Sequence, residues 1–190
     1  MKIQYSATGI RKIMMQVAKD LENGKIIGWF QDGSEFGPRA LGFRSILMDA
    51  RRKDAKKYLN ERVKHREWWR PFAPVIMEEH LMDWFSINKP SPYMLFSAKV
   101  KSDKRKLIPG VIHEDNTTRI QTVNIKQNPN LYGLLTFFHK NTNVPLLLNT
   151  SFNDSGKPIV ETPQDAYDTF QNTNIDILVM QNVYIKKKEE

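Results

Sequence analysis

The stretch "EFGPRALGFRSILMD" (35–49) sets Arg39 and Arg44 five residues apart, with Gly37 and Pro38 ahead of them and Gly42 between, and then runs into an apolar segment. Further cations stand on other stretches: Lys64 and Arg66 close a helical pattern, Arg70 precedes "PFAPVIM", and Arg119 interrupts "TTRIQTV". A guanidinium is a rigid fork that meets phosphate or carboxylate through two bonds at once, and an ammonium is a compact point charge. Several of each on separate elements suit a small polyanion in a converging pocket. An extended nucleic acid is met instead by a stripe of exposed lysines with aromatic stacking partners.

Charge among apolar neighbours is costly unless it is paired. The Gly-Pro turn and the strand behind it are therefore expected to hold Arg39 and Arg44 toward a cavity for an anion, with the ligand as their partner. The other chemically loaded stretch is "PLLLNTSFND", an apolar run that ends abruptly in Asn149, Thr150, Ser151 and Asn153. Open α/β sheets bind ligands beyond the carboxyl ends of their strands, so these short hydrogen-bonding side chains read as a site floor. The plainer alternative is that they only make a turn.

Elements must position these groups. Ile10, Ile13, Met14, Val17, Ala18 and Leu21 recur at helical spacing, and Asn23-Gly24 closes that helix. "KIIGWFQ", "SILMDA", "FAPVIM", "YMLFSAKV", "TTRIQTV", "VPLLLNTSF" and "DILVMQNVYI" are short runs of branched and aromatic residues, hence strands. In "TTRIQTV" the two-residue period puts Arg119 on a face with Thr117 and Gln121, opposite Ile120. Between the strands lie the helical patterns "DAKKYLNERVK", "NPNLYGLLTFFHKNT" and "TPQDAYDTFQNT", the last with Thr162 as N-cap and Pro163 as its first residue. The mixture is α/β or α+β with more strands than helices. No repeat or composition shift marks a linker, so residues 1–190 read as one domain.

At 190 residues the chain is long enough to bury most of its apolar surface in one core. The absence of cysteine excludes a disulfide framework, a thiolate zinc site and a cysteine nucleophile, and a cytoplasmic location is expected. No stretch is apolar enough to span a bilayer, and the first residues lack the apolar core of a signal peptide. The net charge of +8 points to an anionic partner, although "KVKSDKRK" and the terminal "KKKEE" read as solvated surface.

"GWFQDGSEFGPRALGFRSILMDAR", "KHREWWRPFAPVIMEE", "HEDNTTRIQTV" and "VPLLLNTSFNDSGKPIVETPQDAYDTF" together resemble the successive blocks of the C-terminal domain of the NodU/CmcH-type carbamoyltransferases, in order and in spacing from about Gly24 to about Val183. The resemblance implies a YrdC-like domain, a twisted mixed sheet with helices packed around a basic cavity. It implies formation of carbamoyl adenylate from carbamoyl phosphate and ATP, with magnesium accompanying the nucleotide. It further implies an N-terminal actin-like ATPase-fold domain, absent from this chain, that holds a metal and passes the carbamoyl group to a hydroxyl acceptor.

Carried over residue by residue, the resemblance makes Arg39, Arg44, Lys64, Arg70 and Arg119 cationic ligands and Asn149 and Ser151 hydrogen-bonding ones. Carbamate must attack the α-phosphate of ATP, anion toward anion, so fixed positive charge is the chemistry required. Lys64 and Arg119 are assigned the phosphoryl transition state, and Arg39 with Arg44 the grip on carbamoyl phosphate. His113, Asp115 and Asn153 are further candidates: His113 for the ligand or for a structural bond, Asp115 for Arg119, for water-bound magnesium or for a plain turn. The four histidines lack paired helical spacing, so no metal site made by this chain alone is expected. Trp68 and Trp69 offer faces for a base, with packing beside the proline turn the favoured role.

The sequence departs from the family pattern in places. Asp32, Ser34 and Phe43 replace commoner residues around the turn, and Asn116 and Thr118 stand where glycine and alanine are usual, a change that asparagine's tolerance of left-handed backbone accommodates. Two rival readings are a nucleic-acid-binding YrdC-like domain, disfavoured because the aromatic residues fall in core elements, and a non-catalytic nucleotide-binding module.

Overall fold

The computed structural model describes residues 3–7 and 9–187. Nine strands form its spine: β1 (Ile3–Ala7), β2 (Ile27–Phe30), β3 (Arg44–Met48), β4 (Ala73–Met77), β5 (Phe96–Lys99), β6 (Thr117–Val123), β7 (Leu146–Ser151), β8 (Ile177–Met180) and β9 (Val183–Lys187). They lie side by side in the order β1-β9-β8-β2-β3-β7-β4-β6-β5. β2 runs parallel to β8 and β4 parallel to β6, whereas the other pairings are antiparallel. The central strands β2, β3, β4 and most of β7 are buried on both faces, which is why they read as unbroken apolar runs rather than as alternation.

The helices are α1 (Ile10–Glu22), α2 (Ala55–Leu59), α3 (Leu81–Trp84), α4 (Pro129–Thr142) and α5 (Pro163–Asn172). α1 buries Ile13, Met14, Val17, Ala18 and Leu21, the stripe its spacing predicts, and each large apolar side chain so removed from water contributes about 1.5–3 kcal/mol. α1 packs on α4, and the two approach closely at Gly133, where a Cβ would stand 2.9 Å from Met14 Sδ. α5 begins as its sequence predicts: Thr162 Oγ1 accepts from Asp165 N at 3.1 Å and Asp165 Oδ2 accepts from Thr162 N at 2.8 Å, a reciprocal cap.

Three elements differ from the sequence expectation. "DILVMQNVYI" is a hairpin rather than one strand, because Gln181 takes a left-handed conformation (φ 52°) that reverses the chain between β8 and β9. In "YMLFSAKV" only Phe96–Lys99 is strand, since Met94 is likewise left-handed (φ 56°). β1, which the helical reading of the first residues left out, pairs with β9 at the sheet edge.

Candidate active site

Pairing register decides which side chains share a face. Ser151 stands opposite Ser45, Asn149 opposite both Leu47 and Ala73, and Gln121 beside Val75. Residues two apart in a strand point the same way, so Ser151, Asn149, Ala73, Gln121 and Arg119 project to one side of the sheet, and Arg44, next to Ser45, projects to the other. On the first side lies a cavity of about 120 Å³ whose polar walls are Arg39, Arg66, Arg119, Asn149, Thr150 and Ser151. It sits beyond the carboxyl end of β7, where the sequence placed the floor of a site.

Arg39 reaches the cavity from the turn that precedes β3. Oε1 of Glu35 accepts from the amides of Leu41 (2.6 Å), Phe43 (2.8 Å) and Arg44 (3.2 Å) and so winds the turn around one carboxylate. The turn's outward carbonyls are taken by the sheet and by the start of α4: Asn149 Nδ2 donates to Ala40 O (3.0 Å), Gln121 Nε2 to Leu41 O (2.8 Å) and Asn128 Nδ2 to Gly42 O (3.2 Å). Gly42 has φ 107°, and a Cβ there would come within 2.4 Å of Leu131 Cδ2. The glycine is thus required twice over.

Lys64 and Arg66 arrive from the end of α2. The helix changes at Asn60 to a π turn through Lys64 and stops at His65 in the left-handed region (φ 43°), and such π turns recur at functional sites. Lys64 is 3 % exposed. Its ammonium donates to Ser151 O (2.5 Å), Asn153 Oδ1 (2.7 Å), Asn153 O (3.0 Å) and Ser151 Oγ (3.3 Å). Burial, reinforced by the Arg66 charge, lowers its pKa to about 7. Beside it His65 Nδ1 pairs with Asp154 Oδ1 at 2.7 Å. Arg66 is aimed by Asn60, whose Oδ1 accepts from its Nε (2.7 Å) and whose Nδ2 holds the Trp68 and Arg70 carbonyls (3.1 and 3.0 Å).

Arg119 is half-buried on β6, on the face its sequence period predicts. Burial, and then the neighbouring charge of Arg39, lower its pKa from the usual arginine range. Its Nε and Asn149 Oδ1 are buried without a hydrogen-bond partner. Which amide atom of Asn149 is free follows from the network, since Ala40 O only accepts and must meet the NH₂ group.

The other sequence candidates lie elsewhere or act structurally. Arg44 does not line the cavity: it is 3 % exposed, donates to the carbonyls of Gln31 (2.6 Å), Phe43 (3.1 Å) and Glu161 (3.4 Å), and stacks over Phe30 at 3.6 Å. Its pKa is lowered by burial against the opposing charges of Glu161, Glu35 and Asp32. The expectation that it faces phosphate is corrected by strand alternation. Arg70 is exposed and paired with Glu67 at 2.9 Å. Asp115 makes a turn, its Oδ1 accepting from Thr117 Oγ1 (2.7 Å) and N (3.0 Å), and Asn116 next to it is left-handed (φ 63°) as its tolerance allows. His113 contacts Thr117 Oγ1 at 3.3 Å and borders a neighbouring cleft. Asn153 joins the Lys64 knot. Glu35 and Asn60 are not among the sequence candidates, and Arg66, named among the cations, is not in the ligand set that the resemblance implies. Arg66, two residues past Lys64, carried a readable signal in its charge, and the other two had none.

The fold is YrdC-like. The chain superimposes with a TM-score of 0.64 on HypF in its phosphate- and nucleotide-bound form, at 19% identity, covering 94% of this chain and 22% of HypF. The score is also 0.64 for Escherichia coli YciO at 15% identity, covering 90% of this chain and 78% of YciO, and for P. abyssi Sua5 complexed with L-threonine at 14% identity, covering 90% and 47%. More specifically, the chain belongs to the Carbamoyltransferase C-terminus family, whose model matches residues 18–187. It is 42% identical over 179 residues to nodulation protein NolO of Bradyrhizobium diazoefficiens, covering 93% of this chain and 33% of that protein. It is 43% identical over 179 residues to nodulation protein NolNO of Sinorhizobium fredii, covering 93% and 26%. The chain thus spans a third or less of the length of these relatives. No helix among the described residues is long and apolar enough to cross a membrane.

Proposed function

We propose that this chain is the part of an O-carbamoyltransferase that joins carbamoyl phosphate and ATP into carbamoyl adenylate, for transfer to a hydroxyl acceptor by an N-terminal domain of the full-length protein. The observation that carries this reading is the cavity itself, where three guanidinium groups from three elements meet an unpartnered amide oxygen. A carbamoyl group offers an N–H donor and a carbonyl acceptor side by side, which complements Asn149 Oδ1 and Arg119 Nε. A plain phosphate offers no donor to the asparagine oxygen unless it is protonated. HypF, of the same fold, has been solved with phosphate and nucleotide bound.

In this reading water first splits carbamoyl phosphate into carbamate and phosphate, the proton released passing to phosphate. A carbamate oxygen then forms a bond to the α-phosphorus of ATP while the bond from that phosphorus to the bridging oxygen breaks, and pyrophosphate leaves. Both partners are anions, so the protein's work is to hold them together and to stabilise the charge on the five-coordinate phosphorus. Arg39 and Arg119 act there directly, joined by Arg66. Lys64 acts through the loop of Ser151 to Asn153, since its N–H groups are directed to that loop. In this reading magnesium accompanies the nucleotide; among the described residues no cluster of three His, Asp or Glu side chains is placed to hold a metal ion.

The test is pyrophosphate release from ATP and magnesium with and without carbamoyl phosphate. Release is expected to require carbamoyl phosphate and to fall on the order of 10²-fold in Arg119→Ala, the scale of one preorganised electrostatic donor. A loss below about threefold would remove Arg119 from the chemistry.

A further inference from the structure

Lys64 and Arg66 are two residues apart, yet one is turned into the loop after β7 and the other into the cavity. Their divergence is made at His65. The π turn stops there with φ 43° and ψ 48°, in the left-handed region, which disfavours any residue carrying a Cβ. Helices that end in this way usually do so on glycine or asparagine. Arg66 leaves from that residue with its N donating to Asn60 O (3.3 Å) and its Nε to Asn60 Oδ1 (2.7 Å), so its aim depends on the chain direction that His65 sets.

A side chain held in a sparsely populated conformation persists only where its surroundings over-determine it. Asp154 supplies that support from the loop after β7. His65 Nδ1 lies 2.7 Å from Asp154 Oδ1, across 89 positions of sequence, and the same oxygen accepts from Ser155 N at 2.6 Å. A carboxylate only accepts, so Nδ1 carries the hydrogen of the bond. Burial opposes the Asp154 charge, and the bonds from His65 and Ser155 overcome it and hold the carboxyl below its usual value. Burial and the Arg66 charge likewise disfavour the Lys64 ammonium, and Asp154 is the opposing charge that favours it. The His65 and Asp154 side chains are 46% and 20% exposed, so truncating either opens no cavity in the core.

The geometry points to a positioning role for this pair: Asp154 holds His65 in the left-handed conformation that sends Lys64 to the loop and Arg66 to the cavity. The inference rests on the cavity being the anion site of the proposed reaction. Asp154 acts on the anion only through the direction of Arg66.

Inorganic pyrophosphate, the leaving group of that reaction, is the probe, titrated calorimetrically into the whole chain and its variants. Asp154→Asn and Asp154→Ala both remove the charge, and only asparagine keeps an oxygen for His65 and Ser155. Asp154→Ala is expected to bind pyrophosphate about tenfold more weakly than Asp154→Asn, the scale of one residue's left-handed strain. Adding His65→Gly to Asp154→Ala should restore affinity to within about threefold of Asp154→Asn, because glycine holds the left-handed region without an anchor. In an Arg66→Ala background the two Asp154 variants should bind alike, as they must if the pair acts through that arginine. The positioning role is overturned by equal affinities of the two Asp154 variants with Arg66 present. It is overturned equally by a His65→Gly/Asp154→Ala variant as weak as Asp154→Ala, or by a difference that survives in Arg66→Ala; each of these leaves the cavity standing. Wild type that does not bind the probe, or Arg119→Ala that binds it as tightly as wild type, removes the cavity as the anion site and the positioning role with it.

Discussion

Lys64 Nζ and Asn153 Oδ1 lie 2.7 Å apart, so that the end of α2 is tied to the loop after β7 through a lysine that is almost wholly buried. The arrangement is costly while the amine is charged. Unfolded, a lysine keeps its proton up to its ordinary value of 10.5, and folded, Lys64 releases it near 7. Between those values the unfolded chain holds more protons, so stability attributable to this group rises with pH. Thermal unfolding of wild type and Lys64→Met from pH 7 to 9 is expected to show wild type gaining on the variant as pH rises. Parallel curves would mean that the lysine titrates normally.

Arg44 is expected to behave as a structural residue. Arg44→Met removes donors from the Gln31, Phe43 and Glu161 carbonyls and keeps the contact with Phe30, at a cost of about 2–4 kcal/mol. Melting temperature should fall, while phosphate affinity measured below the transition stays within about threefold of wild type. A large loss of phosphate binding with stability unchanged would return Arg44 to the site.

Gly42→Ala addresses the turn that delivers Arg39. The added methyl meets Leu131 at 2.4 Å and Asn128 Nδ2 at 2.9 Å, on a backbone at φ 107°. Loss of stability of about 2 kcal/mol or more is expected by chemical denaturation, from strain and overpacking together. A neutral effect would show that the turn relaxes freely and does not fix Arg39.

With Asn149 Oδ1 buried and unpartnered, the proposed site is expected to select a ligand with an N–H. Acetyl phosphate has a methyl group in its place, and a site built around a buried hydrogen bond rejects such an analogue strongly. In the pyrophosphate assay acetyl phosphate is expected to support less than about 1% of the rate seen with carbamoyl phosphate. Comparable rates would show that Asn149 Oδ1 does not meet the carbamoyl nitrogen.

Where the chemistry is local, it could be read before the fold. The Thr162 cap, the Arg119 face and the polar end of β7 each depend on residues a few positions apart, and each appears where its spacing put it. Arg44 could not be placed in that way. Its side of the sheet follows from Ser45 pairing with Ser151, a register between segments more than one hundred positions apart. Glu35 and Asn60 were silent for a related reason. They bind backbone groups that converge only in the folded chain, and nothing in a lone carboxylate or amide announces that task. Trp68 and Trp69 differ from the packing role that the sequence favours, because the chain turns both indoles outward at the rim of a cleft.

The central claim is that a carbamate oxygen is joined to the α-phosphorus of ATP. The most direct measurement supplies ATP labelled at the α-phosphate and carbamoyl phosphate labelled at carbon, and separates the products under conditions that preserve a mixed anhydride. A compound carrying both labels, formed together with unlabelled pyrophosphate and absent in Arg119→Ala, is the predicted result. Label from ATP appearing in ADP, with the carbon label released alone, would place the cleavage at the wrong phosphorus and contradict the account.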